Sequence, residues 1–584
     1  MTVTDQLRQA RDLLVRHQQD WDAARAEFRW PRFEEFNFAT DWFDALAADP
    51  QRADADALVI VEEDGRTLRR TYAELAESSR RVATWLRQQG VERGHRVILM
   101  LGNQVELWES MLACIRIGAV MVPTTTQMTP IDLQDRVDRA EARWAVANAE
   151  NLAKFEDVTG ECTLIHVPGV YAEGDDRQVP RIPGRTVLSY SEASQADPDG
   201  GHLDRPTAAD ETLLLYFTSG TTSKPKLVEH THTSYPVGHL STVYWIGLQP
   251  GDVHLNVASP GWAKHAWSTV FAPWLAEATI FVVNFRKFEA ATLMSAMGDG
   301  GVTSICAPPT VWRMLITADL AQLTTPPLKA ISAGEPLNAE VIDQVHRAWG
   351  VTIRDGFGQT ETTLQIANTP GARMKIGGMG RPLPGYEIVL IDPVTGQQAE
   401  EGEICVRLDP RPVGVLKSYY GNAEKTAEVF RDGLYHTGDI ASRDENGVYT
   451  YVGRADDVFK SSDYKVSPFE LESVLVEHPA VLESAIVPTP DQMRLAVPKA
   501  FVTLAPGHEP NEETARRILQ FAVDRLPPYK RIRRIEFREL PKTISGKVRR
   551  VELRREEVKR HGGEQLGGVE YREEDLGIRR PSRG

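Results

Sequence analysis

The chain has 584 residues, too many for one ordinary core, so at least two domains are expected. Its net charge of −15 excludes a dedicated nucleic-acid binder, which needs a basic face. Hydrophobic residues at 41% and charged residues at 26% suit a globular protein in water, and no apolar run reaches the roughly 18 residues of a membrane span.

The N-terminal stretch, MTVTDQLRQARDLLVRHQQDW, is charged and amphipathic, with no apolar core of the kind a secretory signal carries. Cys114, Cys162, Cys306 and Cys405 are scattered without a metal-type spacing, which predicts reduced core residues and a cytoplasmic location. From residue 57 apolar runs alternate with helical patterns. ALVIVEE reads as a strand, YAELAESSRRVATWLRQQG as a helix ending at Gly90, RVILML as a strand and ELWESMLACIRIGAV as a second helix. The alternation returns through TIFVVNF, SICAPP, LKAISAG and AEVIDQVHRAWGVTIRDGFG, and it predicts parallel sheets covered by helices. From about residue 380 the texture becomes short strands and turns. After GRADD a compact α+β pattern begins, with helices around 468–477 and 511–525. The expected division is residues 1–455, a small domain 456–560, and a polar, poorly ordered tail 561–584.

Between the strand-like run Leu213–Phe217 and a polar segment expected to start a helix lies the loop TSGTTSKPK. Thr218, Ser219, Gly220, Thr221, Thr222, Ser223 and Lys226 offer hydroxyls, backbone N–H groups and positive charge, the makings of an anion cradle. It is not a Walker loop, because G-x-x-x-x-G-K-[ST] is absent. Taken alone, a surface loop explains it better. Four more segments change that balance: SAGEPL (332–337), DGFGQTETT (355–363), YHTGDIASRDENGVYTYVGRADDVFK (435–460) and PKTISGKVRR (541–550). Each has a bland reading as a turn, a cap or a basic loop, but all five in this order do not arise by chance.

On these motifs the chain resembles the adenylate-forming superfamily of acyl-CoA synthetases, luciferases and peptide-synthetase adenylation domains, from about residue 35 to 555. SPGWAKHAWSTVFAPW and APPTVWRML look most like the acetyl-CoA and medium-chain acyl-CoA synthetases. The resemblance implies an α/β fold. A large N-terminal domain would combine α/β subdomains with a β-rich one, and a mobile α+β C-terminal domain would turn about a hinge at Asp456. It implies an AMP-forming ligase that uses ATP, Mg²⁺ and coenzyme A on a small carboxylic acid, without nucleic acid or a membrane span. The homodimer stays open.

The same resemblance assigns residue roles. The hydroxyl loop with Lys226 would hold phosphates, and Gly334, Glu335, Pro336, Asp355, Gly356 and Phe357 the adenine. Thr360 would touch the α-phosphate and Glu361 would bind Mg²⁺. Asp439 would take the ribose hydroxyls, with Arg454 and Lys465 beside ribose or phosphate. Lys547 would bridge carboxylate and α-phosphate during adenylation. Trp262, Ala263, Lys264, Ala333 and Gly358 would line the acyl pocket. Gly358 replaces the tryptophan of acetate-specific relatives, which implies a longer acid, whether medium-chain, branched or aromatic. Two departures stand out. Ser223 replaces a usual glycine, and Asp463 stands where a glycine generally lines the coenzyme A route. Asp463 keeps a second reading open, in which the adenylate passes to another nucleophile such as an amine, a carrier protein or a small inorganic species. A non-catalytic nucleotide binder is the third, and the retention of Lys547 and Glu361 speaks against it.

Overall fold

The computed structural model describes residues 1–171, 178–201, 205–218, 225–334, 337, 339–461, 464–491, 495–543, 547–561 and 568–578, with backbone alone at 460, 464, 465, 495 and 529. Contacts divide the chain into two compact units. One comprises Met1–Thr218, Pro225–Glu387 and Arg407–Leu434, the other Ile388–Val406 and Tyr435–Gly584.

The first unit is built on two sheets whose central strands are parallel. One runs in the order Arg381–Pro382, Thr363–Ala367, Ile353–Gln359, Lys329–Ala333, Ser304–Cys306, Val253–Asn256, Thr279–Val283, Asp56–Val61, Thr67–Thr71. The other runs Ser418–Tyr419, Lys226–Thr231, Thr212–Thr218, Val120–Pro123, Arg96–Met100, Trp144–Ala147, Thr163–His166, Val187–Ser189. The central strands are near-continuous apolar runs because helices bury both of their faces. The helices start and stop where local chemistry says. Thr71 and Glu74 form a capping box at the start of Tyr72–Gln88. Val105–Ile117 ends at Gly118, whose φ of 69° suits a residue without a Cβ.

Asp56–Val61 pairs in parallel with Thr279–Val283, more than two hundred residues away. The segment after the hydroxyl loop, expected to be a helix, is the strand Lys226–Thr231, paired antiparallel with Thr212–Thr218 and with Ser418–Tyr419. Partners on both sides satisfy its backbone, and that overrides its polar composition.

In the second unit, Ile388–Ile391, Glu401–Arg407, Leu434–Arg443 and Tyr449–Arg454 form one sheet. The small C-terminal sheet runs Val481–Asp491, Leu495–Leu504, Arg534–Phe537, Glu570–Arg572, with the helices Pro468–Leu475, Glu512–Arg525 and Arg550–His561. Contacts thus group residues 435–455 with the C-terminal residues, whereas the texture of the sequence places that division at Asp456. Part of the tail expected to lack order is structured: Glu570–Arg572 pairs with Arg534–Phe537, and Leu576 is buried in the core. Its polar letters concealed a strand because Glu570 is consumed in an interior ion pair. Lys499, fully buried, reaches Glu536 at 2.9 Å, Glu557 at 2.7 Å and Glu570 at 2.9 Å. No helix of the described residues is long and apolar enough to cross a membrane.

Candidate functional site

In the first unit the strand Ile353–Gln359 and the strand Thr363–Ala367 make a hairpin whose tight end is Thr360-Glu361-Thr362. Three side chains of the interior hold that end in place. His230 Nε2 donates to the Thr360 carbonyl at 2.7 Å, while its Nδ1 meets Ser234 Oγ at 2.9 Å. Burial pushes His230 down to about 3, so the ring is neutral, and the carbonyl contact places its proton on Nε2. Tyr386 donates to the Thr362 carbonyl and lies 3.0 Å from Thr363 Oγ1, where Thr363 takes a positive φ of 55°. Tyr419 donates to Glu361 Oε1 at 2.9 Å. Its ring also lies 5.3 Å from the Lys226 ammonium. Tyr419 therefore brings the expected metal carboxylate and the expected phosphate lysine to one place.

Among the expected nucleotide residues, Thr218 ends its strand beside Lys226, in register with it. Asp355, Gly356 and Phe357 follow one another along the strand Ile353–Gln359, and Gly334 follows Ala333 with a φ of 103°. Burial pushes the Asp355 carboxyl up to about 7, against the pull of the Gly356 N–H and of the Lys264 charge. Ser219, Gly220, Thr221, Thr222, Ser223, Glu335, Pro336 and Asp463 lie outside the described residues, as does the side chain of Lys465.

The acyl candidates gather around the helix Ala263–Ala266, which Trp262 caps. Lys264 Nζ donates to the Ala333 carbonyl at 3.2 Å, so two expected pocket residues touch. His265 turns the other way: it is buried, its Nε2 is 3.2 Å from Asn103 Oδ1, and burial pushes it down to about 3. Gly358 does not act as expected. A Cβ there would run into the Thr363 carbonyl oxygen and come 2.8 Å from Trp267 Cη2. The hairpin itself demands glycine at 358, and the adjoining space is already filled by the indole of Trp267, whose Nε1 donates to Tyr235 Oη at 2.8 Å. Nothing in the spacing of the sequence singled out Trp267, Tyr419 or His230; each comes from a distant element.

In the second unit Asp439 and Arg454 are directly opposite on adjacent antiparallel strands. Tyr451 donates to Asp439 Oδ1 at 2.9 Å and Arg454 to Oδ2 at 3.2 Å. Asp456 is exposed, and its carbonyl accepts from Arg554 at 3.2 Å. The next residue, Asp457, is buried against Arg554 and Arg550 of the last long helix. Lys547 is exposed in a loop closed by Thr543, whose N–H donates to the Lys547 carbonyl at 2.7 Å and whose hydroxyl accepts from the Lys547 N–H at 3.1 Å.

Comparison with known proteins places the chain in a family. Residues 46–420 match the AMP-binding enzyme family and residues 470–547 the AMP-binding enzyme C-terminal domain. The chain is 41% identical over 545 residues to 4-hydroxybutyrate–CoA ligase 1 of Metallosphaera sedula, covering 92% of this chain and 93% of that one. It is 35% identical over 550 residues to the mitochondrial acyl-coenzyme A synthetase ACSM3 of Mus musculus, with the same coverage. Among solved structures it resembles the anthranilate CoA ligase AuaEII in complex with anthranoyl-AMP, with a TM-score of 0.77 and 27% identity over 90% of this chain and 98% of that one. A benzoate CoA ligase from Burkholderia xenovorans LB400 gives a TM-score of 0.73 and 29% identity, over 89% of this chain and 100% of that one. With both family segments matched in order and relatives aligned over nearly their full length, this chain belongs to the AMP-binding enzymes, in the company of acyl-CoA ligases.

Proposed function

We propose that this protein is an AMP-forming acyl-CoA ligase acting on a short to medium carboxylic acid. The observation that carries the proposal is the pinned hairpin end, where Tyr419 gathers Glu361 and Lys226 while neutral His230 fixes the Thr360 carbonyl. A carboxylate oxygen attacks the α-phosphate of ATP and pyrophosphate leaves; the thiol of coenzyme A then attacks the acyl carbon and AMP leaves. Phosphoryl transfer needs positioning and charge more than covalent help. One oxygen of Glu361 is held by Tyr419, and the carboxylate is the hard donor that Mg²⁺ prefers. Mg²⁺ would neutralise charge on the departing pyrophosphate. Asp439 and Arg454 would hold the ribose, and the hydroxyl loop with Lys226 the phosphates. The exposed Lys547 would supply its ammonium in the first half-reaction and withdraw for the second. The pivot for that withdrawal would be Asp456, the hinge position that the resemblance implies, next to Asp457, which Arg554 and Arg550 hold.

The acyl chain would lie along Trp262, Ala263, Lys264, Ala333 and Gly358, with Trp267 as the wall at its far side. The printed names of the relatives include a ligase for a hydroxylated four-carbon acid and ligases for single-ring aromatic acids. We infer a substrate of that size, roughly four to eight carbons or one ring, gaining about 0.8 kcal/mol per buried methylene until Trp267 stops it. Four buried free thiols and the acidic surface suit a reducing compartment such as the cytoplasm. The test is pyrophosphate release from a panel of acids, with and without coenzyme A. Acid-dependent release that turns over only with coenzyme A is expected. Turnover with an amine or carrier protein instead, at a rate coenzyme A does not match, overturns the thioester step.

A further inference from the structure

Beside the Thr437-Gly438-Asp439 turn, three side chains of different chemistry converge. Glu403 and Cys405 are two apart on the strand Glu401–Arg407, so both point to one face, and His436 lies on the neighbouring strand Leu434–Arg443. Cys405 Sγ is 3.3 Å from His436 Nδ1, and that nitrogen is 2.8 Å from Glu403 Oε2. One ligand atom from each residue lies within 4.8 Å of the other two. Cys405 is fully buried and His436 nearly so. The second oxygen of Glu403 accepts from the Gly438 N–H at 2.8 Å, which orients the carboxylate as an outer contact orients a metal ligand.

We propose that Glu403, Cys405 and His436 form a binding site for Zn²⁺ or a similar borderline-soft divalent cation, separate from the Mg²⁺ that accompanies ATP. A thiolate, an imidazole and a carboxylate suit zinc, whereas Mg²⁺ and Ca²⁺ prefer oxygen alone. With zinc–ligand distances of about 2.0–2.3 Å, a tetrahedral site spaces its ligand atoms by about 3.3–3.6 Å. The His436–Glu403 pair, at 2.8 Å, needs to open by about half an ångström to admit the ion, and the Cys405–His436 pair, at 3.3 Å, hardly at all, with water as the fourth ligand. Loading releases the Cys405 proton to solvent; the proton that Nδ1 donates to Glu403 in the empty site must also leave Nδ1, and the neutral imidazole then carries its proton on Nε2 so that Nδ1 can ligate. A bound ion would clamp the strand Glu401–Arg407 to the turn that presents Asp439. The clamp would stabilise the fold around the ribose carboxylate without taking part in adenylation.

The experiment uses the full chain without nucleotide. The protein is stripped with a chelator, exposed to one equivalent of Zn²⁺ or Co²⁺, passed through gel filtration and analysed for metal and for its absorption spectrum. The expected result is about one zinc per chain, and for Co²⁺ intense tetrahedral bands with a sulfur-to-metal charge-transfer band. Cys405→Ser abolishes that band, and Glu403→Gln and His436→Gln weaken retention. Loss of a direct ligand costs more than the 10- to 100-fold typical of an outer contact. Wild type that retains no more zinc than Cys405→Ser overturns the site and leaves a hydrogen-bonded trio only. Equal retention by wild type and all three variants places the metal elsewhere and overturns it as well. Should Cys405→Ser fail to fold, the wild-type Co²⁺ spectrum decides alone, because bands without a thiolate contribution refute the assignment.

Discussion

The two units fill their polar interiors with different mixtures. The first buries a set of neutral imidazoles beside charge pairs such as Arg11 with Glu277 at 2.9 Å. His230, His254 and His265 are each pushed by burial to about 3, His232 to about 4, and His239 well below its ordinary value. Several of their ring nitrogens trade hydrogen bonds with hydroxyls and carbonyls, as His254 does with Ser304 and Ser268 at 2.7 Å each and His230 with Ser234 and the Thr360 carbonyl, whereas both of His232 are buried without such a bond. The second unit buries charge: Lys499 with three glutamates, and Glu472 against Arg550. Neutral hydrogen bonds cost little to desolvate and fix geometry, which suits the unit that carries the Thr360 hairpin. Buried ion pairs are expensive to assemble and more expensive to leave half made.

The largest effect that contrast predicts is Lys499→Ala. Three carboxylates would be left without their shared cation, at a cost of about 3–5 kcal/mol. Hydrogen exchange should show the loss in Val481–Asp491 and Leu495–Leu504, with Ile353–Gln359 unchanged. Equal loosening of both units would dissolve the distinction.

Acid should act in the reverse order. A histidine depressed in the fold binds fewer protons folded than unfolded, so its stability is present above the unfolded value near 6.5 and drains away as pH falls toward about 3. Glu570 is held below its ordinary 4.5: burial pushes up, and the hydrogen bond and charge of Lys499 outweigh it. Its contribution is present above about 4.5 and lost only at lower pH. Between pH 6 and 5 each such histidine contributes at most about 1.4 kcal/mol of loosening, so the first unit, with five of them, should loosen by a few kcal/mol and the second, with His478, by less. Hydrogen exchange at both values decides it, and simultaneous loosening counts against the contrast.

Lys547→Ala probes whether charge from the second unit serves the chemistry. Acid-dependent pyrophosphate release should fall about 100-fold or more, roughly 3 kcal/mol, with thioester formation from supplied acyl-adenylate much less affected. Equal losses in the two half-reactions would remove the alternation. The smallest expected effect concerns the apolar first unit. Trp267→Ala should lengthen the best acid by several methylenes, about 0.8 kcal/mol each in kcat/KM. Gly358→Trp should unfold the hairpin rather than shift selectivity. An unchanged acid order in Trp267→Ala shows that this indole is not the wall.

Much of this could be read from the letters. The parallel α/β texture and the order of the motifs are local facts, because strand period and turn residues act over a few positions. The candidate residues Thr360, Glu361 and Lys226 were likewise legible from motif context. Their support was not. His230 reaches Thr360 across 130 positions, and Tyr419 reaches Glu361 across 58. The polar tail read as unstructured because Glu570 finds its partner, Lys499, only in the folded sheet. Gly358 read as an emptied pocket because a glycine does not reveal which neighbour fills the space beside it; the Thr363 carbonyl and Trp267 do. Sequence by itself determined which groups are present and which strands and helices carry them. Only the tertiary structure decided which of those groups meet, because burial and long-range pairing set protonation, room and direction together.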